Sequence, residues 1–164
     1  MRLYPFIPYP PIERHGVVGD RRTAALVAAD GTLDWLCLPD YDGAPVFGAL
    51  LDAERGGGWR LGPAAAPGEQ RYLDDSAALL TTWRTPGGEL DLTDAMAWPG
   101  VDRPRGDEGR RVALRRLRCT RGRADGLPTI RPRDDFDRPA AIAAAPGGLA
   151  LTVGGTLGLR RGRG

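Results

Sequence analysis

The chain has 164 residues, a mass of 17.6 kDa and a formal net charge of +2, which suits one domain large enough to bury a true core. Glycine (24) and proline (15) make up about a quarter of it, twice their ordinary share, so turns should be many and long helices few. No apolar run is long enough for a membrane span or a signal peptide, which makes the cytoplasm the expected location and a membrane partner unexpected.

All 23 basic residues are arginine. Together with the Ala, Gly and Pro excess, this reads as the coding bias of a GC-rich genome, not as an arginine-specific function. The near-balanced charge does not imply nucleic acid binding. Two cysteines, Cys37 and Cys119, and one histidine, His15, exclude a multi-histidine metal site and most histidine-dependent triads. The cysteines read as free, buried thiols. No metal and no cofactor is expected.

Residues 1–16 are rich in proline and aromatics and read as an extended N-terminal arm. The apolar runs Ala24–Ala29 and Leu33–Leu38 flank Asp30-Gly31, a strong hairpin signal because glycine accepts the positive φ of a primed turn. Pro39 to Pro45 is a loop. In Val46–Asp52 the apolar residues Phe47, Leu50 and Leu51 fall at i, i+3 and i+4, which predicts a helical turn or two. Trp59–Leu61 reads as a short strand and Pro63–Gly68 as a loop. Ala77–Thr85, a turn at Pro86-Gly87-Gly88, and the period-two series Leu90, Leu92, Asp94, Met96 read as a second hairpin. Residues 99–109 should be an exposed loop. Arg110–Thr120 reads as a long strand whose Val112/Leu114 and Leu117/Cys119 phases conflict, which a bulge near Arg115-Arg116 would reconcile. Leu127–Arg133 and Leu149–Val153 read as further strands, and residues 160–164 as a disordered tail. Many short strands with Gly/Pro turns predict an all-β antiparallel sandwich over 17–159.

The segment PIERHGVVGDRRTAALVAADGTLDWLCLPDYDGAPVFGALLD, residues 11–52, resembles the opening of bacterial family 15 glycoside hydrolases, the glucoamylase, glucodextranase and trehalase-like enzymes. Pro11, Ile12, Glu13, Gly19, Asp20, Thr23, Asp30, Gly31, Asp34, Trp35, Leu36, Pro39 and Asp42 are among the matching residues. Weaker echoes in GGWRLGP, RYLDDSAALLTTWRTPGGELDLTDAM and RPRDDFDR extend the resemblance to roughly residues 10–155. The chain departs from the family at Arg14-His15, where Asp-Tyr is usual, at Tyr41–Pro45, and at Asp134, which replaces an aromatic.

The resemblance implies an N-terminal β-sandwich, incomplete at its C-terminal end, of the kind followed by a larger (α/α)6 barrel. That barrel would carry the two glutamates of inverting hydrolysis, which act across the sugar as acid and base. The sequence contains no such barrel. Its five glutamates, Glu13, Glu54, Glu69, Glu89 and Glu108, lie mostly beside turns, and no catalytic residue is expected among them. The implied role is an accessory domain that packs on a catalytic barrel, in cis or in trans, and shapes the rim of its site. The class of enzyme would act on terminal α-glucosides or trehalose. Asp34, Trp35, Pro39 and Asp42 are the candidate contact residues. An aromatic beside carboxylates suits a sugar, a barrel interface, or simply a packed hairpin and its turn; the residues leave all three open. The alternative is a stand-alone carbohydrate-binding or protein-interaction domain. The arginine run 110–123, seven arginines without an aromatic, reads as a solvated strand face with acidic partners across the sheet, ahead of a nucleic-acid surface.

Overall fold

A computed structural model describes residues 6–64, 66–97, 111–134, 136, 138–145, 148–152 and 156–160. A 3-10 turn, Ile12–Arg14, leads into β1 (His15–Gly19), β2 (Ala24–Ala28), β3 (Thr32–Leu38), β4 (Ala44–Phe47) and β5 (Gly58–Gly62). There follow β6 (Glu69–Tyr72), β7 (Leu79–Thr85), β8 (Gly88–Met96), β9 (Ala113–Gly122) and β10 (Leu127–Arg131), then the short β11 (Arg133–Asp134) and β12 (Arg138–Pro139). The last three are β13 (Ala141–Ala145), β14 (Gly148–Thr152) and β15 (Thr156–Arg160).

The fold is all-β and antiparallel, as the turn-rich composition predicts. One sheet has the order β1-β2-β3-β5-β10 with β4 added to β3, and the second has the order β6-β7-β8-β9. Strands β11 and β12 pair with each other, and β13-β14-β15 form a meander. The core lies between the two main sheets. Val18, Ala25, Val27, Leu33, Leu36, Val46 and Phe47 of the first pack against Leu79 and Met96 of the second. At Gly16 the sheets come so close that a Cβ would sit 2.4 Å from the Leu79 side chain, so glycine is what permits the contact. On β8 every second side chain, Leu90, Leu92, Asp94 and Met96, is buried, which is the predicted period-two face.

Both predicted hairpins form. Gly31 takes φ +81° between β2 and β3, and its N–H bonds to the Ala28 carbonyl at 2.9 Å. The β2–β3 register shifts between Leu26 and Val27. The edge of β1 is stitched to the second sheet by Tyr72, whose hydroxyl accepts from the Val17 N–H at 2.9 Å and donates to its carbonyl at 3.0 Å.

Three local expectations are corrected. Of the two thiols, Cys37 is buried but Cys119, on the edge strand β9, is exposed. The 46–52 segment is not a helix: its first residues complete β4, and only Gly48–Asp52 turns, the Gly48 carbonyl accepting from Leu51 and Asp52. Leu51 is 62% exposed, because pairing of β4 with β3 turns the chain away from the core before the 3.6-residue face can form. The bulge of the long strand is not at Arg115-Arg116. The β8–β9 register shifts at Glu89/Leu90, so that Leu90 faces Cys119 and Glu89 faces Arg121. Arg115, not Leu114, points inward. The expected loop at 99–109 and all but the first residue of the tail lie outside the described residues.

Candidate functional site

Three chain segments converge at the loop that carries Pro39 and Asp42. Asp20 closes a turn after β1: its Oδ1 accepts from the N–H of Arg22 at 3.0 Å and of Thr23 at 2.9 Å, the local bonding that short carboxylate side chains favour at turns. Arg21 takes φ +71° there. The Thr23 hydroxyl donates to the Cys37 carbonyl at 2.6 Å. The Tyr41 N–H bonds to the Arg22 carbonyl at 3.0 Å. Thus the β1–β2 turn and the 39–43 loop are tied side by side. The Leu38–Pro39 peptide bond at the mouth of that loop is cis.

Arg111, just before β9, locks the cluster. Its side chain is 4% exposed. Its Nε donates to the Pro39 carbonyl at 3.0 Å and lies 3.4 Å from Asp20 Oδ2, and its Nη2 donates to Asp40 Oδ1 at 3.1 Å. Arg22 Nε reaches the same Asp40 oxygen at 2.8 Å. Hydrogen bonds from Arg22 and Arg111 hold the Asp40 carboxyl below its ordinary range. Around these groups lies an open depression of about 400 Å3 lined by Arg21, Arg22, Asp40, Tyr41 and Asp42. Asp42 and Pro39 are exposed, and Tyr41 is 63% exposed. Planar cations, carboxylates and a phenol in one shallow surface can bond the hydroxyls of a sugar or the polar groups of a protein rim.

Of the four residues predicted from sequence, the structure brings Pro39 and Asp42 together in this loop. Asp34 sits elsewhere. Its Oδ2 lies 2.9 Å from His15 Nε2, both side chains being buried at 4% and 1% exposure. His15 Nδ1 lies 3.1 Å from the Pro11 carbonyl. A carbonyl only accepts, so Nδ1 carries a hydrogen, and the proton between Nε2 and Oδ2 is shared by the pair. Burial opposes the imidazolium, but the hydrogen bond and charge of Asp34 outweigh it and raise the His15 pKa. Burial also raises that of Asp34, against the pull of His15. Trp35 follows on β3, half-buried and opposite Leu26. Arg111 escaped sequence reasoning. It sits in an arginine run 71 residues from Asp40, and nothing local separates it from its solvated neighbours.

Some carboxylates elsewhere are engaged in exposed ion pairs. Glu69 and Glu89 share Arg84 at 2.7 and 3.2 Å. Among the described residues no group of three or more His, Cys, Asp or Glu could hold a metal ion, and no helix is long and apolar enough to cross a membrane.

Comparison with known proteins places this architecture. The family described as trehalase-like, N-terminal, matches residues 8–156. The trehalase of Mycolicibacterium smegmatis is 36% identical over 148 residues, which are 82% of this chain and 22% of that protein. The trehalase of Mycobacterium tuberculosis is 33% identical over 147 residues, again 82% and 22%. That of Thermoplasma volcanium is 38% identical over 92 residues, 54% of this chain and 15% of that protein. No solved structure matches significantly. The chain thus spans about a fifth of the length of the mycobacterial relatives. An antiparallel β-fold matched from residue 8 to residue 156 by one family description, and carried at the third-identical level by two trehalases, establishes that this chain belongs to the trehalase-like N-terminal family.

Proposed function

We propose that the chain is the non-catalytic accessory domain of a trehalase-like or glucoamylase-like glycoside hydrolase, in cis or in trans of a catalytic (α/α)6 domain, and acts with it in the cytoplasm. The observation that carries this reading is the match of about four-fifths of the chain to about a fifth of two trehalases. The 20–23 and 39–43 loops, locked by Arg111, form the surface that packs on the catalytic domain and shapes the rim of its site. There Pro39, Tyr41 and Asp42 meet the partner, while Asp34 and Trp35 support the hairpin beneath. The substrate would be an α-glucoside or trehalose.

The test is a chimera in which this chain replaces the matched segment of the M. smegmatis trehalase. Trehalose hydrolysis should stay within about tenfold of the parent, and should be lost when the segment is simply deleted. The chain alone should release no glucose from trehalose or maltose. Full activity of the deleted enzyme would end the accessory reading, as would glucose release by the isolated chain that mutation of its glutamates abolishes.

A further inference from the structure

β9 is ten residues long and pairs on one side with β8; among the described residues nothing pairs with its other side. Such an edge presents a row of unpaired N–H and C=O groups to any chain able to extend the ladder. Its side chains are unusual. The register shift leaves Thr120 without an opposite residue, so Arg121 faces Glu89 while Arg118 faces Asp91 and Arg116 faces Thr93. Without the bulge Arg121 would fall on the other face. With it, Arg116, Arg118 and Arg121 share the outer face of the sheet, away from buried Leu90 and Leu92.

All three arginines are exposed, and among the described residues none of their guanidinium groups has a hydrogen-bond or ion-pair partner. The acids across the ladder are already engaged. Asp91 accepts from the Thr82 hydroxyl at 2.7 Å. Glu89 pairs with Arg84 at 3.2 Å and accepts from the Thr120 hydroxyl at 3.2 Å. On the same face Leu114, opposite Ala95, is 55% exposed.

We propose that the free edge of β9 takes an extended acidic strand from a protein partner. The partner's backbone continues the ladder, the recognition mode of strand addition. Its carboxylates, at alternate positions about 7 Å apart, meet Arg116 and Arg118, with Arg121 beyond the bulge and one apolar side chain against Leu114. A nucleic acid would match the charge but leave the edge amides unfilled, and residues 110–123 offer no aromatic for base stacking. The inference rests on the geometry of β9 and does not depend on the catalytic-domain reading.

The experiment titrates the full chain with four probes. These are an alternating Glu/Thr peptide of the length of β9 with one leucine, the same peptide with Lys for Glu, the acidic peptide N-methylated along one edge, and a single-stranded oligonucleotide of equal charge. The acidic peptide should bind and slow hydrogen exchange at the outward amides of β9. The N-methylated and Lys peptides should not. In the triple variant Arg116→Glu, Arg118→Glu, Arg121→Glu, affinity for the acidic peptide should fall at least about tenfold and affinity for the Lys peptide should rise. That reciprocal gain separates a swapped contact from a misfolded variant. Binding without protection of β9 amides, equal binding of the N-methylated peptide, tighter binding of the oligonucleotide, or no binding of the acidic peptide would each overturn the proposal.

Discussion

Arg115 crosses from one sheet to the other with its charge buried. It stands directly opposite Asp94 on the β8–β9 ladder, and its side chain is 1% exposed. Nε and Nη2 reach the two carboxylate oxygens at 2.6 and 3.3 Å, Nη2 also donates to the Gly31 carbonyl at 2.8 Å, and Nη1 donates to the carbonyl of Trp59. The guanidinium lies 5.2 Å from the centre of the Trp59 ring. Stripping water from both ions costs several kcal/mol, and only good geometry with further hydrogen bonds offsets it. Removing one partner leaves the other buried and unpaired. Arg115→Ala should therefore lose about 3–5 kcal/mol, read from urea unfolding, whereas the adjacent exposed Arg116→Ala should change stability by less than about 0.5 kcal/mol. His15 gives a second prediction at this scale. Its folded pKa is raised by Asp34, so the folded state keeps a proton that the unfolded chain releases. The stability it contributes is complete below the ordinary histidine value of about 6.5 and is lost as pH rises through the raised folded value. The raised Asp34 pKa acts in the same sense at lower pH. Urea midpoints measured across this range should fall with pH in the wild type and stay flat near and above neutrality in His15→Gln.

The β2–β3 hairpin joins local turn chemistry to the contact between sheets. Asp30 accepts from the Thr32 N–H at 2.9 Å through one oxygen and from the Ile7 N–H at 2.9 Å through the other, so the turn also anchors the N-terminal arm. The Gly31 carbonyl accepts from Leu61 on β5 and from Arg115 on β9. A Cβ at Gly31 would stand 2.1 Å from the Leu61 carbonyl oxygen, in a backbone of φ +81°. Gly31→Ala should cost at least about 2 kcal/mol, seen as a lowered midpoint of thermal unfolding. Were the variant as stable as the wild type, the close passage of β5 beneath the turn would be wrong. Cross-strand register similarly decides the outer face of β9, where one unpaired Thr120 shifts Arg121 from one side of the sheet to the other.

Across the whole molecule, charged residues divide into buried ties and exposed rims. Asp20–Arg111, Asp30–Arg60, Asp34–His15 and Asp94–Arg115 all have side chains no more than 4% exposed. They hold the arm, the turns and the two sheets in one arrangement. Tyr41 and Asp42, by contrast, stand in solvent beside the loop depression. In the trehalase chimera, Tyr41→Ala and Asp42→Asn should leave the unfolding midpoint nearly unchanged, since neither side chain is buried. If these loops shape the rim, KM for trehalose should rise by about threefold or more. An unchanged KM in both variants would remove the 39–43 loop from the rim.

Local physics made much of this fold legible without coordinates. Asp30-Gly31 needs a residue free to take positive φ, and Leu90 to Met96 alternates with the two-residue period of a strand, so both hairpins are written in short stretches. The dense resemblance over residues 11–52 pointed to the family. What the sequence alone could not decide is which charges go inside. Arg115 and Arg116 are the same residue type, one position apart, and alternation assigns them to opposite faces without saying which face will be covered. His15 and Asp34 lie 19 residues apart, Asp40 and Arg111 lie 71 apart, and each pair exists only once the sheets are assembled. A buried ion is tolerable only where its partner and hydrogen bonds are already in place. Composition and period therefore determined an antiparallel β-fold with tight turns, while tertiary packing decided which arginines became internal ties and which remained exposed.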